Sequence, residues 1–221
     1  MYKKKKIFAL IIARKNSRRL KNKNLLPLKK NPLFYWTLKS ALNSRYIDRI
    51  CLSSDIEKIN LFNLKNKKVF LDKRPKYLAT SNSSVYKIIN YVEKKYIKKK
   101  SFQILVLLQA TSPFRTSKNI DNAIKKYCMS PKANSLISVM KLDKKYKYII
   151  SGKKTIEMPL RSKKRIYVPN GAIFIKNIKD IKFKTFYSKK ACLYEMPFVE
   201  SIDIDYFEDY KIAKCFQQKL K

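Results

Sequence analysis

Two short runs of uninterrupted apolar residues constrain the fold of this chain more than any other feature. The first run extends from Ile7 to Ala13, and the second lies in a strand predicted from Gln103 to Leu108. Neither run alternates apolar with polar residues, so both faces of each strand are expected to be buried. Such strands are typical of a parallel sheet that is covered by helices on both sides.

Helical and extended segments alternate around these two runs as far as residue 130. Apolar spacing predicts helices at Leu33 to Asn43, Ser83 to Lys99 and Ser117 to Tyr127, a helix opening at Ser54-Asp55, and a closing helix from Asp205. Shorter strands are predicted at Arg49 to Ser53, Lys68 to Leu71, Ser135 to Lys141 and Ala172 to Ile175. This order predicts an α/β fold with a mainly parallel sheet and right-handed crossovers, in a single domain spanning residues 1–221.

The alternation breaks between residues 141 and 169. Two extended segments, Tyr146 to Ile150 and Thr155 to Met158, flank Ser151-Gly152, a pair that is typical of a hairpin turn. The pattern predicts a small β lobe over residues 141–169, inserted within the single domain.

The charge of the chain is extreme, because 53 Lys+Arg stand against 15 Asp+Glu and give a net charge of +38. One interpretation is a protein that binds nucleic acid or an anionic membrane. The other is codon bias, since AT-rich codons favour Lys, Asn, Ile, Tyr and Phe. The basic residues are spread through every segment, which favours the second interpretation and argues against nucleic acid as the partner. On either interpretation, the positive field attracts an anionic substrate such as a nucleotide.

The absence of histidine excludes Ser-His-Asp and Cys-His catalysis and any His-ligated metal. The four cysteines stand far apart without a CxxC pair, so neither a zinc site nor a disulfide scaffold is predicted. No run approaches the length of a membrane span, and no cleavage site follows the first apolar run. We therefore expect a cytoplasmic protein with no membrane partner, whose chemistry relies on carboxylates, Lys/Arg, hydroxyls and a hard cation.

Two polar loops directly follow the two buried strands, at the sheet edge where ligands bind in open α/β folds. The loop from Arg14 to Asn24 is rich in cations and also offers a serine and asparagines, which suits a triphosphate. The alternative is a solvated basic turn. The loop from Gln109 to Arg115 offers hydroxyls and a proline-fixed turn; the alternative, a helix-start loop, accounts for Ser112 but not for Gln109 or Arg115.

A third loop, Ser201 to Asp205, carries aspartates at positions 203 and 205. Residues at i and i+2 of an extended segment point to the same side, so these carboxylates suit Mg²⁺, which takes one or two carboxylates and keeps several waters. The alternative is that Asp205 caps the last helix and Asp203 is a surface charge.

Together these loops resemble the cytidylyltransferases that make CMP-activated nonulosonic acids, such as the CMP-sialic, CMP-legionaminic and CMP-pseudaminic acid synthetases. The resemblance rests on Arg14 to Arg19 with Lys23-Asn24, on LLQATSPFR at Leu107 to Arg115, and on SIDID at Ser201 to Asp205 followed by Asp209 to Ala213. Lesser matches are Ser54-Asp55, Arg74-Pro75 with Leu78-Ala79, and Asn170 to Ile173. The matches occur in family order over nearly the whole chain.

The resemblance implies a three-layer, Rossmann-like nucleotidyltransferase fold and a homodimer formed through the small lobe. It implies transfer of CMP from CTP to a nine-carbon sugar acid, with release of pyrophosphate, for cell-surface polysaccharide biosynthesis. The nucleotide-binding residues would be Arg14, Ser17, Arg18, Lys23, Asn24, Arg74 and Ser112, and the sugar-binding residues Gln109, Arg115 and Asn170. Asp203 and Asp205 would hold Mg²⁺, and with Arg14 and Lys23 they form the implied catalytic set.

The chain also departs from the family pattern. Lys15 and Asn16 stand where relatives usually have glycine, Ala110 replaces a proline, Ser81-Asn82 stands where an aspartate is common, and Val168 where many relatives carry a polar or basic residue. CMP-Kdo synthetases, which also lack those glycines, are the nearest alternative, because the spacing from Arg14 to Leu20 fits them. The elements at Ser201 to Asp205 and Asn170 to Ile173 fit the nonulosonate branch better. A non-catalytic nucleic-acid-binding protein is the alternative of a different class.

Overall fold

The computed structural model describes residues 2–57, 59, 66–80, 83–97, 101–142, 148–151, 154–157, 165–181 and 185–220. The strands are β1 (Ile7–Ala13), β2 (Pro27–Leu28), β3 (Asn31–Pro32), β4 (Arg49–Ser54), β5 (Val69–Lys73), β6 (Ile104–Gln109), β7 (Ser135–Lys141), β8 (Tyr148–Ser151), β9 (Lys154–Glu157), β10 (Tyr167–Asn177) and β11 (Ala191–Glu195). The α-helices are α1 (Leu33–Leu42), α2 (Val85–Val92), α3 (Ser117–Cys128) and α4 (Phe207–Phe216).

Seven strands form the main sheet, in the order β11-β7-β10-β6-β1-β4-β5. The two apolar runs lie side by side at its centre as β1 and β6, and they pair in parallel. β4 and β5 extend the parallel pairing on one side, and β11 pairs in parallel with β7 at the other edge. β10 is antiparallel to both of its neighbours, β6 and β7. The predicted mainly parallel sheet is confirmed, with one reversed strand.

The core has two halves, one on each face of the sheet, and this confirms the three-layer architecture. Alternate residues of β1 serve both halves: Ile7, Ala9 and Ile11 belong to the cluster that contains α1 and α3, while Phe8 and Leu10 belong to the cluster that contains α2. Because both faces of β1 are buried, its sequence has no polar alternation. A third cluster packs α4 against α1.

Helix α2 is shorter than the sequence pattern predicts. It ends at Val92 and continues as a π-helical turn from Glu93 to Ile97. The last two residues of the predicted helix, 98 and 99, lie outside the described residues. In the described part of the chain, none of the helices is long and apolar enough to cross a membrane.

The predicted hairpin is present, because β8 and β9 pair as an antiparallel two-stranded sheet, with Ser151 opposite Lys154. Gly152 of the predicted turn, Tyr146 at its start, and the Ser81-Asn82 pair lie outside the described residues. The extent of the lobe and its part in dimerisation stay predictions.

Candidate active site

A cavity of about 490 Å³ opens at the carboxyl ends of the central strands β1 and β6. Its charged lining consists of four cations, Arg14, Arg19, Lys23 and Arg74, and two carboxylates, Asp203 and Asp205. Asn24, Gln109 and Thr111 supply further polar groups. A larger groove of about 640 Å³ lies on the outer side of α1, beside Trp36, and none of these six charged residues lines it. The cavity at the strand ends is therefore the candidate site for an anionic ligand.

Two hydrogen bonds hold the basic loop, Arg14 to Asn24, at the end of β1. The Asn24 side-chain amide donates to the Arg14 carbonyl at 2.8 Å, and the Lys15 backbone N–H donates to an Asp55 carboxylate oxygen at 2.8 Å. Asp55 therefore binds this loop. The side chains of Lys15 and Asn16 are exposed and absent from the cavity lining, and neither residue has a positive φ. The backbone at these positions does not require glycine, and the two side chains leave the cavity open.

Asp205 is held between two cations of the basic loop. Lys23 Nζ lies 2.5 Å from Asp205 Oδ1, and Arg19 Nη2 lies 2.7 Å from Asp205 Oδ2. Lys23 also donates to the Ile204 carbonyl at 3.2 Å. The first turn of α4 is capped instead by Asp209, whose Oδ2 accepts from the backbone N–H groups of Asp205 and Tyr206. The alternative that Asp205 serves as the helix cap is thus wrong, and its carboxylate belongs to the cavity.

Asp203 offers a second carboxylate at the floor of the cavity. Burial raises its pKa above the ordinary aspartate value, against the opposing effect of a hydrogen bond from Thr111. Its Oδ1 is buried and has no hydrogen-bond partner among the described residues. Among the described residues, no group of three or more His, Cys, Asp or Glu side chains is arranged to hold a metal ion. Two carboxylates, one with an unused oxygen, fit a hard cation that completes its shell with waters and phosphate oxygens.

A second cavity, of about 360 Å³, adjoins the first and shares Gln109 and Asp203 with it. Asn170 lies in its wall, but both ends of the Asn170 amide are occupied: Nδ2 donates to Ser201 Oγ at 2.8 Å, and Oδ1 accepts from Ser138 Oγ at 2.6 Å. These bonds hold the register shift in β10 that follows Pro169. Asn170 therefore shapes this cavity while its own polar atoms bind neighbouring side chains.

Gly171 sits where the two cavities meet and has a φ of +71°. A Cβ at this position would lie 3.2 Å from Asp203 Oδ2 and 3.4 Å from Gln109 Nε2. Only glycine satisfies both the left-handed backbone and the close approach of these two side chains without strain.

We expect Gly171→Ala to destabilise the fold by about 1–2 kcal/mol, the usual cost of a left-handed backbone for a residue with a Cβ. The added methyl also displaces Asp203 or Gln109, so nucleotide-dependent activity is expected to fall further than stability does. Urea unfolding measures the first effect, and turnover of the still-folded variant measures the second. Unchanged stability and unchanged turnover together would contradict this account of Gly171.

Arg115 is buried inside the protein and lines neither of the two adjoining cavities. Its Nη1 donates to the Ala172 carbonyl at 2.7 Å and to the Gln109 carbonyl at 3.3 Å, which joins β6 to β10. Its Nε and Nη2 have no partner among the described residues, and burial lowers its pKa to about 9. The position of Arg115 supports a structural role. It does not support the predicted contact between Arg115 and the sugar acid.

The predicted site residues thus divide into two groups. The structure brings Arg14, Lys23, Asn24, Arg74, Gln109, Asp203 and Asp205 to one cavity and Asn170 to the adjoining one. Ser17, Arg18 and Ser112 line neither cavity, although the hydroxyls of Ser17 and Ser112 are buried without partners in the described part of the chain. The roles of all these residues stay predictions.

The sequence analysis did not single out several residues of the cavity lining, among them Arg19, Thr111, and the start of α2 at Ser83, Ser84 and Val85. Ser84 is the N-cap of α2, and its Oγ accepts from the Lys87 N–H. The positive end of that helix therefore faces the cavity and favours an anionic ligand there. The serine pair before an apolar helical face was the available signal. Within the basic loop, nothing in the sequence singles out Arg19.

An open α/β sheet, with four cations and a carboxylate pair in a cavity at its strand ends, suits a phosphate-bearing ligand. The chain belongs to the cytidylyltransferase family of nucleotidyltransferases, because the model of that family matches residues 8–220. The family generally uses a divalent metal.

Relatives with assigned functions extend over nearly the whole chain. The N-acylneuraminate cytidylyltransferase of Escherichia coli O18:K1:H7 is 34% identical over 97% of this chain and 52% of its own length. The CMP-N,N'-diacetyllegionaminic acid synthase of Legionella pneumophila is 30% identical over 95% of both chains. This chain spans about half the length of the N-acylneuraminate cytidylyltransferases that it matches.

Among solved structures, a CMP:2-keto-3-deoxy-manno-octonic acid synthetase complexed with CTP superposes with a TM-score of 0.70. The superposition covers 97% of this chain and 100% of that one, at 14% sequence identity. At that identity the likeness shows a shared fold alone.

Proposed function

We propose that this protein transfers CMP from CTP to a nonulosonic acid and releases pyrophosphate. The observation that carries the proposal is the pair of adjoining cavities that share Gln109 and Asp203. One cavity holds the cations, which suits a triphosphate, and the other is less charged and suits a sugar. Relatives that are N-acylneuraminate and legionaminic acid enzymes support a nine-carbon sugar acid over Kdo, whose synthetase resembles this chain in fold only.

In this proposal the triphosphate of CTP binds to Arg14, Arg19, Lys23 and Arg74, which line one cavity together with the N-terminus of α2. Hydrogen bonds hold the backbone of the loop that carries Arg14, Arg19 and Lys23, so only side chains have to turn when phosphate arrives, which favours binding and charge stabilisation. Lys23 is suited to this role because its side chain is only 12% exposed, so its charge is weakly screened by solvent.

The divalent cation is proposed to be Mg²⁺, held by Asp203 and Asp205. Asp205 neutralises Lys23 and Arg19 in the nucleotide-free protein. When phosphates arrive, these two cations can turn from Asp205 to the phosphate oxygens, and the carboxylate becomes available to the metal. Nucleotide and metal are therefore expected to strengthen each other's binding.

Catalysis in this proposal consists of positioning and charge neutralisation. The anomeric hydroxyl oxygen attacks the α-phosphorus and gives up its proton to solvent, the bond from the α-phosphorus to the bridging oxygen breaks, and pyrophosphate leaves with its charge balanced by the basic loop. Gln109 lies at the junction of the two cavities and orients the sugar toward the nucleotide. A bound divalent cation supplies neutralisation of phosphate charge and polarisation of the attacking hydroxyl.

The domain organisation, the homodimer and the cytoplasmic location are also proposals. We place residues 1–221 in one domain, with the 141–169 lobe as the contact between two copies in a homodimer. The antiparallel pairing of β8 with β9 within this segment supports a distinct lobe. The predicted cytoplasmic location agrees with four cysteines that are all free.

Nucleotide selectivity tests the CTP half of the proposal. Titration calorimetry with CTP, UTP, ATP and GTP in the presence of Mg²⁺ is expected to show preferential binding of CTP. Competition with heparin or single-stranded RNA serves as a control, because an affinity that reflects net charge alone would be lost equally for all four nucleotides. Equal binding of every triphosphate, together with tight RNA binding, would contradict the proposal.

A further inference from the structure

A buried carboxylate outside the cavity, Asp72, forms an extensive polar network. It lies on β5 opposite Ser53 of β4, and its side chain has no exposed area. Burying an aspartate completely costs folding free energy unless its oxygens accept hydrogen bonds. The donors of those bonds therefore indicate the role of Asp72. Its two oxygens contact different partners.

One oxygen, Oδ1, faces the helical layer. It accepts from the Tyr96 hydroxyl at 2.8 Å and the Tyr91 hydroxyl at 3.2 Å, and Lys95 Nζ lies 3.4 Å away. These three residues are at positions i, i+4 and i+5. The π-helical turn from Glu93 to Ile97 widens the helix and brings all three to one side.

The other oxygen, Oδ2, is connected to the nucleotide cavity by hydrogen bonds that pass through Ser53 to Arg74. Ser53 Oγ donates to Asp72 Oδ2 at 2.9 Å and accepts from Arg74 Nε at 3.2 Å. The Ser53 carbonyl accepts from Arg74 Nη2. A hydroxyl has one proton. Because the Ser53 hydroxyl donates that proton to Asp72, its oxygen lone pairs remain free to accept the hydrogen bond from Arg74.

We infer that Asp72 is a positioning residue that fixes the guanidinium of Arg74 in the nucleotide cavity through the hydroxyl of Ser53. This inference rests on the proposed function, since it assigns to Arg74 a contact with CTP. An arginine side chain loses rotamer freedom when it is fixed, and a network that fixes it beforehand removes that cost from nucleotide binding. Arg74 is 4% exposed and lines the cavity, so its orientation is set by these bonds rather than by solvent.

Asp72 also supports the charge of Arg74. Burial lowers the pKa of this guanidinium, and the carboxylates of Asp55 and Asp72 oppose the shift. Asp72 thus both orients Arg74 and balances its charge. We therefore expect Asp72 to affect the affinity for CTP as well as the stability of the fold.

Two variants that each remove one hydrogen bond from Asp72 separate positioning from stability. Ser53→Ala breaks the connection from Oδ2 to Arg74, whereas Tyr96→Phe removes a bond to Oδ1 and leaves Ser53 and Arg74 in place. Calorimetric titration with CTP is expected to show a Kd raised about tenfold in Ser53→Ala and changed less than twofold in Tyr96→Phe. Both variants are expected to lose stability in urea.

Asp72→Asn and the double variant Ser53→Ala/Arg74→Ala complete the test. Asp72→Asn is expected to weaken CTP binding as Ser53→Ala does, and it provides a second measurement if Ser53→Ala fails to fold. The double variant is expected to bind CTP no more weakly than Arg74→Ala alone, because the two residues act as one unit. Equal weakening by Tyr96→Phe and Ser53→Ala, or unchanged affinity in Ser53→Ala, would overturn the inference. Failure of the unmodified protein to bind CTP would instead overturn the proposed function.

Discussion

Replacing Asp205 by alanine is expected to lower Mg²⁺-dependent turnover by about three orders of magnitude, because the metal loses one of its two carboxylates at the point where phosphate charge develops. The fold is expected to survive, since Asp209 rather than Asp205 caps α4. In the same variant Lys23 and Arg19 lose their counter-ion, so binding of CTP without metal is expected to be as tight as in the unmodified protein or tighter. Steady-state kinetics and metal-free calorimetry measure the two effects.

Glu208→Ala is the matched control for this variant. Glu208 lies in the first turn of α4 and is exposed, so its removal changes the net charge equally without touching the cavity. Its turnover is expected to stay within a factor of two. If Asp205→Ala retained full turnover, or if both variants lost activity equally, Asp205 would have no part in holding the metal.

Lys23→Ala is expected to reduce turnover by about 10²–10³-fold, comparable to the loss of one preorganised hydrogen-bond donor in other active sites. The side chain is 12% exposed and pairs with Asp205 at 2.5 Å, so the variant removes a phosphate-binding cation and leaves Asp205 paired with Arg19 alone. Weaker CTP binding is expected both with and without Mg²⁺, which distinguishes it from Asp205→Ala. Kinetics and calorimetry on the folded variant measure both effects.

Lys21→Ala provides the comparison within the same loop. Lys21 is exposed and does not line the cavity, although its charge and its place in the loop are similar to those of Lys23. Its removal is expected to change turnover less than twofold in moderate salt, where exposed charges are screened. Equal losses in the two lysine variants would mean that the loop acts through its overall charge, not through Lys23 in particular.

The centre of the fold could be predicted from the sequence because it depends on local patterns. The apolar runs of β1 and β6 have no polar face, and the predicted helix from Leu33 differs from α1 by one residue at its end. β11, at the sheet edge, is only partly buried and has no such pattern. The reversed direction of β10 depends on how the chain returns from the hairpin segment, and residue spacing does not encode that path.

The loops of the site could be predicted, but the pairing of residues within them could not. Lys23 and Asp205 are 182 positions apart, and only the fold shows that they form an ion pair. Arg18 and Arg19 are adjacent and chemically identical, yet only Arg19 lines the cavity. Arg115 is unusual in its loop because it binds two backbone carbonyls inside the protein, a need that arises only once β6 and β10 are neighbours.

The proposed reaction is tested most directly by pyrophosphate release from CTP with a panel of sugar acids: N-acetylneuraminic, legionaminic and pseudaminic acid, with Kdo as the comparison. Mg²⁺-dependent release, with a CMP-sugar formed in equal amount, is expected for at least one of the three nonulosonic acids, and much slower release is expected with Kdo. Release with Kdo alone, or with none of the four acids under conditions where CTP binds, would contradict the proposed reaction.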